Sequence, residues 1–178
     1  MNHRVRSAVQ HLKVGGVISH PTDTIQGLAC LPHFEQAMQR ILQLKYRSAN
    51  KGMILLASDI RYFSDYVADV SQLDKIKIGS TPTTYLLKAN QYASKYLTGG
   101  LDTIALRLTD NPLIVELCQA SHSALVSTSA NTSGKNTATS VLELHLFFKH
   151  ELDFIIAPQN YNSQPSQIIN LQTGERLR

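Results

Sequence analysis

The spacing of hydrophobic residues along the chain predicts an alternation of short helices and short strands. The period of an amphipathic helix recurs over residues 5–14, 34–44, 59–67, 112–120 and 140–149. Short apolar or alternating runs predict strands at residues 17–20, 53–57, 83–89, 103–108, 124–127, 154–156 and 167–171. There is no repeat and no linker. We therefore predict one α/β domain over residues 1–178, with a twisted mixed β-sheet flanked by helices.

Composition narrows the class of protein. The 178 residues are 43% hydrophobic and 17% charged, which is typical of a globular chain. No run of about 20 apolar residues occurs, and the N-terminus shows no apolar signal segment, so we expect a cytoplasmic protein without membrane contact. Cys30 and Cys118 lie in apolar stretches without a CxxC motif, which indicates buried, inert thiols. The seven histidines show no metal-ligand spacing, so no metal site on the protein is predicted.

The net charge of +4 and the pI near 9.1 favour a polyanionic partner, either a nucleotide or RNA. Three cations, Lys45, Arg47 and Lys51, fall within the loop 45–52, between a predicted helix and a buried strand. Lysine presents a compact charge, and arginine presents a planar fork that binds phosphate oxygens in pairs. The loop therefore predicts a phosphate site. The alternative is a solvated basic turn.

Two polar loops follow predicted strands. Residues 21–28 begin with a proline that we expect to end the strand, because proline cannot donate to a central ladder. Thr22, Asp23 and Thr24 then lie where open α/β sheets bind ligands, although they are equally suited to capping their own backbone. Residues 128–135 form a small, hydroxyl-rich loop that can bring N–H and O–H donors to a ligand. That loop lacks the spacing of a P-loop.

The strand 103–108 carries an arginine on one face. Alternation along the strand places Thr103, Ala105 and Arg107 on the same side. An arginine in that position is expected to hold an anion or to pair with a carboxylate. The alternative is an edge-strand arginine in water.

Taken in order, these stretches resemble the YrdC/TsaC family, the threonylcarbamoyl-AMP synthases. The matching stretches read HPTDTIQGL at 20–28, LKYR with KG at 44–52, ALRL at 105–108, STSANTSG at 127–134 and PSQII at 165–169. The resemblance covers nearly the whole chain and implies the single-domain YrdC-like fold of the short bacterial form. Gln26 stands where the family has an aromatic residue, Ser48 replaces a proline, and Leu31 replaces a frequent aspartate. Residues 79–82 keep only the last proline of a WPGP-like element of the family. If the enzyme prefers another amino acid, we therefore expect the change to lie near Gln26 and Thr81.

The resemblance implies an ATP-dependent nucleotidyltransferase. It would make threonylcarbamoyl-adenylate and pyrophosphate from L-threonine, bicarbonate and ATP, with Mg²⁺ carried by the phosphates. Transfer machinery of the TsaD/TsaB/TsaE type would then modify the adenosine 3′ of the anticodon in tRNAs that read codons starting with A (the t6A modification), and tRNA itself is a further candidate partner. By position, the catalytic residues would be Lys45, Arg47 and Arg107. ATP would be bound by Lys45, Arg47, Lys51, Thr103, Ser129, Asn131, Thr137 and Arg178, and threonine by Thr24, Arg107, Ser127 and Ser166.

Two alternatives stay open at this point. The first is an RNA- or nucleotide-binding module of the same fold without synthase activity, which would lose affinity steeply with added salt. The second is a hydrolase of carbamoyl-phosphate type, since related domains occur inside hydrogenase-maturation proteins. The chain carries no counterpart of the zinc-finger or acylphosphatase parts of those proteins.

Overall fold

The computed structural model describes residues 2–159 and 165–178. Within them the chain forms five α-helices and eight β-strands. The helices are α1 (His3–Lys13), α2 (Glu35–Leu44), α3 (Lys95–Thr98), α4 (Pro112–Ser121) and α5 (Val141–Phe148). The strands are β1 (Ile18–Pro21), β2 (Gln26–Cys30), β3 (Ile54–Ala57), β4 (Thr83–Lys88), β5 (Thr103–Leu108), β6 (Leu125–Ser129), β7 (Phe154–Ile155) and β8 (Gln167–Asn170).

All eight strands join one sheet in the order β7-β1-β2-β6-β3-β5-β4-β8. The pairs β1–β7, β3–β5 and β4–β8 are parallel. The pairs β1–β2, β2–β6, β3–β6 and β4–β5 are antiparallel. The predicted single α/β domain with a mixed sheet is therefore confirmed.

Side-chain alternation along the strands separates a helix-covered face from an open face. Leu55, Leu106 and Val126 lie in one row of the sheet and are fully buried, on the side where α4 packs against β3 and α2 against β2. The neighbouring row, Ile54, Ala105 and Ser127, faces the other way and lines a cavity. The sheet thus has an apolar core on one side and a binding surface on the other.

The helix boundaries follow from capping groups in the sequence. The Asn111 side chain accepts the amides of Leu113 and Ile114 at the start of α4, with Pro112 in the first turn. Gly99, with φ of 69°, ends α3 in the left-handed conformation that glycine adopts without strain. No helix in the described part of the chain has the length and apolar character needed to cross a membrane.

Three local predictions were wrong or incomplete. Strand β2 was missed, because five residues after a polar turn give too short a pattern to be distinguished from a loop. Pro21 does not end β1 but pairs with Gln26 inside it. Proline is tolerated there because β7 covers only Ile18 and Ser19, so the outer side of Pro21 has no strand partner among the described residues. Residues 59–67 contain a 3-10 helix, Ile60–Tyr66, and not an α-helix, and a second 3-10 helix follows at Val70–Lys75.

Candidate active site

The open face of the sheet forms the floor of a cavity of about 500 Å³. Gly27 and Ala105 leave room above the strands of this floor, and Gly52 of the loop before β3 also lines the cavity with no side chain. Apolar side chains that the motifs did not identify form part of its wall, among them Ile54, Leu56, Leu86, Leu97 and Leu101. Every predicted site residue except Lys45 and Lys51 lines this cavity: Thr24, Arg47, Thr103, Arg107, Ser127, Ser129, Asn131, Thr137, Ser166 and Arg178.

Arg107 projects from β5, which lies between β3 and β4, and only 6% of the residue is exposed. Its Nη1 donates to Thr24 Oγ1 at 3.1 Å and its Nη2 to Asp23 Oδ2 at 2.7 Å. The predicted carboxylate partner is therefore present, and the alternative of an edge-strand arginine in water is wrong. The Nε of Arg107 is buried and has no hydrogen-bond partner among the described residues.

The turn between β1 and β2 is capped by its own side chains and also lies at the cavity. Thr22 Oγ1 accepts the amides of Thr24 and Ile25, each at 3.1 Å, and donates to the Ile25 carbonyl at 2.7 Å. Thr22 is therefore a capping residue of the turn. Thr22 and Thr24 both line the cavity, and their hydroxyl oxygens are 3.0 Å apart. Thr24 also accepts a hydrogen bond from Arg107.

The end of α2 directs the basic residues of loop 45–52 to different places. Tyr46 has φ of 51°, and the amides of Tyr46 and Arg47 return to the carbonyls of Gln43 and Leu42. This is a Schellman ending with tyrosine at the position that usually holds glycine. The chain reverses there, so that Lys45 is buried, Arg47 is half-buried at the cavity and Lys51 is exposed.

Lys45 is 2% exposed, and its ammonium is enclosed by oxygens of the loop after β6. Nζ donates to the Ser129 carbonyl, to the Asn131 carbonyl at 2.7 Å and to Asn131 Oδ1 at 3.0 Å. Burial, and to a smaller extent the positive charge of Arg47, together lower the pKa of Lys45 to about 7. Because the three donors already have acceptors, Lys45 holds the loop in place and supplies positive charge behind it.

Arg47 donates from Nη2 to the Gly52 carbonyl at 2.8 Å and to the Lys51 carbonyl at 3.2 Å. Partial burial lowers the pKa of its guanidinium, although arginine stays charged at any physiological pH. The Lys51 side chain does not line the cavity. Of the three predicted phosphate ligands, only Arg47 therefore faces the cavity in this structure.

The hydroxyl-rich loop after β6 is tied to α2 and to β2. Asn131 Oδ1 accepts the Ser129 hydroxyl at 2.6 Å as well as Lys45, and its Nδ2 donates to the Lys135 carbonyl at 2.6 Å. The amide of Ser133 donates to the Lys45 carbonyl at 2.8 Å. Asn131 thus organises the loop, which is one of the two functions predicted for it.

The C-terminus forms another side of the cavity. Arg178 donates from Nε and Nη2 to the Ser166 carbonyl, at 3.1 and 2.8 Å. The Ser166 hydroxyl is 2.8 Å from the Thr84 hydroxyl on β4, and both of these side chains are buried. The last residue of the chain and the PSQII stretch therefore meet at the site, as the sequence predicted.

Gln26 and Thr81 lie away from the cavity, although the sequence placed any altered amino-acid preference near them. Gln26 is fully buried on the opposite face of β2, where Nε2 donates to Ser19 Oγ at 2.8 Å and to the Ile156 carbonyl at 2.9 Å. Thr81 is exposed and does not line the cavity. Neither side chain therefore lines the cavity in this structure, because strand alternation turns Gln26 away while Gly27 faces the cavity.

Comparison with known proteins agrees with this geometry. The profile of the Sua5_yciO_yrdC family, described as telomere recombination, matches residues 10–178. A threonylcarbamoyl-AMP synthase of Nitrosococcus oceani is 39% identical, with 99% of this chain and 98% of that protein covered. A threonylcarbamoyl-AMP synthase of Acinetobacter baumannii is 37% identical, with 98% and 97% covered.

Among solved structures, P. abyssi Sua5, crystallised with L-threonine, has a TM-score of 0.84 and 25% identity. The match covers 97% of this chain and 52% of that one, so this chain spans about half the length of Sua5. The resemblance inferred from the motifs is confirmed by a profile and by relatives that extend over almost the whole chain. The chain belongs to the Sua5/YciO/YrdC family.

Proposed function

We propose that this chain is a threonylcarbamoyl-AMP synthase. It makes threonylcarbamoyl-adenylate and pyrophosphate from L-threonine, bicarbonate and ATP. The observation that carries the proposal is one cavity lined by a buried arginine on β5, Arg107, and by Arg47 beside the buried Lys45. Relatives of nearly the same length, named threonylcarbamoyl-AMP synthases, support it.

In this proposal the substrates occupy the cavity side by side. Arg107 binds the threonine carboxylate through its planar fork, and the hydroxyls of Thr24, Ser127 and Ser166 bind the remaining polar groups. ATP lies along the loop after β6 and along Thr103, Thr137 and Arg178. Its triphosphate is placed near Arg47, while Lys45 acts through the loop that it holds. Lys51, exposed in this structure, would reach the triphosphate only from outside the cavity.

The reaction then needs positioned charge more than a protein nucleophile. The threonine ammonium group loses a proton, and the resulting amine condenses with bicarbonate to a carbamate with loss of water. A carbamate oxygen attacks the α-phosphorus, the bond from that phosphorus to the β-bridging oxygen breaks, and pyrophosphate leaves. Holding two anions together and neutralising their charge supplies most of the rate.

Mg²⁺ is proposed to enter with ATP. Within residues 2–159 and 165–178 no three His, Cys, Asp or Glu side chains come together as a metal site. Asp23, the carboxylate nearest to the cavity arginine, is paired with Arg107. Phosphate oxygens and water, which Mg²⁺ prefers, would therefore be most of its ligands.

The proposed place of the enzyme is the cytoplasm, where the adenylate passes to transfer proteins of the TsaD/TsaB/TsaE type and on to tRNA. The alternative of an RNA-binding module without synthase activity is less well supported. The Lys45 side chain is buried and Arg47 is half-buried against the cavity, so two of the three loop cations are not presented on the surface. A carbamoyl-phosphate hydrolase is not favoured by any feature of the site.

The test is pyrophosphate release from ATP with Mg²⁺, leaving out threonine and bicarbonate in turn. The proposal predicts release only when both are present. Pyrophosphate release that requires a different amino acid would mean that this amino acid, and not threonine, is the substrate. ATP binding without release under any combination would favour the binding module, and steep loss of RNA affinity with added salt would then support it.

A further inference from the structure

His20 is a buried histidine at the edge of the cavity that no catalytic assignment uses. It lies on β1 opposite Gly27 of β2, so its side chain is on the cavity face of the sheet. Its exposure is 0%. Nδ1 is 3.0 Å from the Pro21 carbonyl. Because a carbonyl only accepts, Nδ1 carries the proton, and Nε2 of the neutral ring is an acceptor.

That acceptor is unused. Nε2 of His20 is one of the few buried side-chain atoms in the described part of the chain without a hydrogen-bond partner. A buried acceptor without a partner costs free energy, so native proteins rarely keep one without a function. We therefore expect a hydrogen-bond donor to reach Nε2 when the substrates are bound.

Gly27 opens the way from His20 to the cavity. A Cβ built on Gly27 would lie 3.3 Å from His20 Nε2 and 3.4 Å from Ser127 Oγ. Gly27 and Ser127 both line the cavity. The imidazole nitrogen and the serine hydroxyl therefore flank the same gap, which exists because residue 27 has no side chain.

Burial also fixes the chemistry of His20. Desolvation lowers the pKa of His20 to about 4, against a smaller opposite effect of the bond to Pro21. The ring is then neutral at physiological pH, which makes it a poor base for a substrate proton. Its Nε2 therefore stays a hydrogen-bond acceptor at physiological pH.

We propose that His20 is a positioning residue whose Nε2 accepts a hydrogen bond from the Ser127 hydroxyl and thereby orients the Ser127 oxygen as an acceptor for the substrate amino group. Nε2 has no partner among the described residues, so the bond forms only when the Ser127 hydroxyl turns towards it. A serine hydroxyl has one proton and two lone pairs. With the hydroxyl hydrogen donated to His20 in a hydrogen bond, only lone pairs of the Ser127 oxygen face the cavity, and they select an N–H donor over a carboxylate or another acceptor. This inference rests on the proposed threonine site.

Two amide substitutions separate the two nitrogens of the ring. His20→Asn keeps a donor near Nδ1 for the Pro21 carbonyl but places nothing at Nε2. His20→Gln places an amide oxygen near Nε2. We expect His20→Asn to weaken threonine binding about tenfold, the effect of losing one hydrogen bond to a charged group. ATP binding should stay within about twofold, and His20→Gln should recover most of the threonine affinity.

The discriminating readout compares L-threonine with 2,3-dihydroxybutanoate, which keeps the carboxylate and hydroxyl but lacks the amino group. Calorimetry should show that His20→Asn lowers the affinity for threonine and leaves that for the analogue unchanged. Ser127→Ala should give the same pattern, and the double variant should be no worse than either single one. Thermal denaturation reports folding, and if His20→Asn does not fold, His20→Gln and Ser127→Ala decide.

Several outcomes would overturn the inference. Equal losses for threonine and the analogue, equal effects of Asn and Gln, or additive losses in the double variant would each indicate a purely structural histidine. A native protein that binds neither threonine nor ATP would instead remove the proposed function and this inference with it. If the native protein releases pyrophosphate as proposed, and His20→Asn still prefers threonine over 2,3-dihydroxybutanoate to the native extent, only the inference on His20 is overturned.

Discussion

Replacing Arg107 by alanine is expected to remove threonine recognition without removing the fold. The guanidinium is nearly buried in the cavity wall, where its two Nη atoms hold Thr24 and Asp23. Arg107 also has further N–H donors for a ligand. Among the described residues that line the cavity, it is the only arginine that lies on a strand. Alanine leaves the substrate carboxylate without its planar partner.

The magnitude follows from the kind of contact. Loss of a charge-assisted pair of hydrogen bonds costs about 2–4 kcal/mol in the transition state, which corresponds to a fall of about 30- to 1,000-fold in kcat/KM for threonine. The effect on stability is smaller. The Asp23 side chain is 32% exposed, so water can hydrate its carboxylate once Arg107 is gone.

The assay is pyrophosphate release with threonine varied at saturating ATP and bicarbonate. Arg107→Lys should be intermediate, because the charge stays but the fork is lost. Arg61→Ala is the matched control, since Arg61 also pairs with an aspartate, Asp59 at 2.6 Å, but is 87% exposed and outside the cavity. A threonine kcat/KM within threefold of the native value in a folded Arg107→Ala protein would refute the assignment.

Three further predictions concern charge, packing and the buried polar pair. Because burial lowers the pKa of Lys45 to about 7 and a bound triphosphate raises it again, ATP binding should take up a proton between pH 7 and 9 and weaken as the pH rises. Calorimetry in buffers of different ionisation enthalpy measures this uptake, which Lys45→Met should abolish. Gly52→Ala should lower the free energy of unfolding by about 1–3 kcal/mol, because a Cβ there meets the Leu97 carbonyl; scanning calorimetry would show an unchanged melting temperature if the clash is absent. Gln26→Leu removes the hydrogen bond to Ser19 Oγ and takes the Nε2 donor from the buried Ile156 carbonyl. It should cost about 1–3 kcal/mol in denaturant unfolding, with threonine and ATP KM values unchanged.

Much of the fold was predictable because its signals are local. The stripe of Val5, Ala8, Val9 and Leu12 is buried along α1, as the helical spacing requires. Asn111 and Pro112 fix the start of α4 in the same local way. Strand β2 was not predictable on these grounds, because all five of its residues are buried and their pairing with β1 and β6 is tertiary.

The candidate site was predictable where strand alternation or a motif fixed a side chain. Thr103 and Arg107 share the cavity face as their spacing indicates. The directions of the Lys45 and Lys51 side chains depend on the left-handed backbone conformation of Tyr46. The sequence does not predict that conformation, because tyrosine rarely adopts it. The position of Gln26 depends on the strand that was missed. His20 was visible as part of the HPTDT stretch, but its unused nitrogen is apparent only once Gly27 and Ser127 are in place.

The most direct test of the central claim is to identify the product. The protein is incubated with ATP, Mg²⁺, L-threonine and bicarbonate labelled with carbon-13, and the mixture is analysed by mass spectrometry. The account predicts threonylcarbamoyl-adenylate that carries the label, formed in the same amount as pyrophosphate. Pyrophosphate formed with an unlabelled adenylate, or ATP consumed without any adenylate, would contradict it.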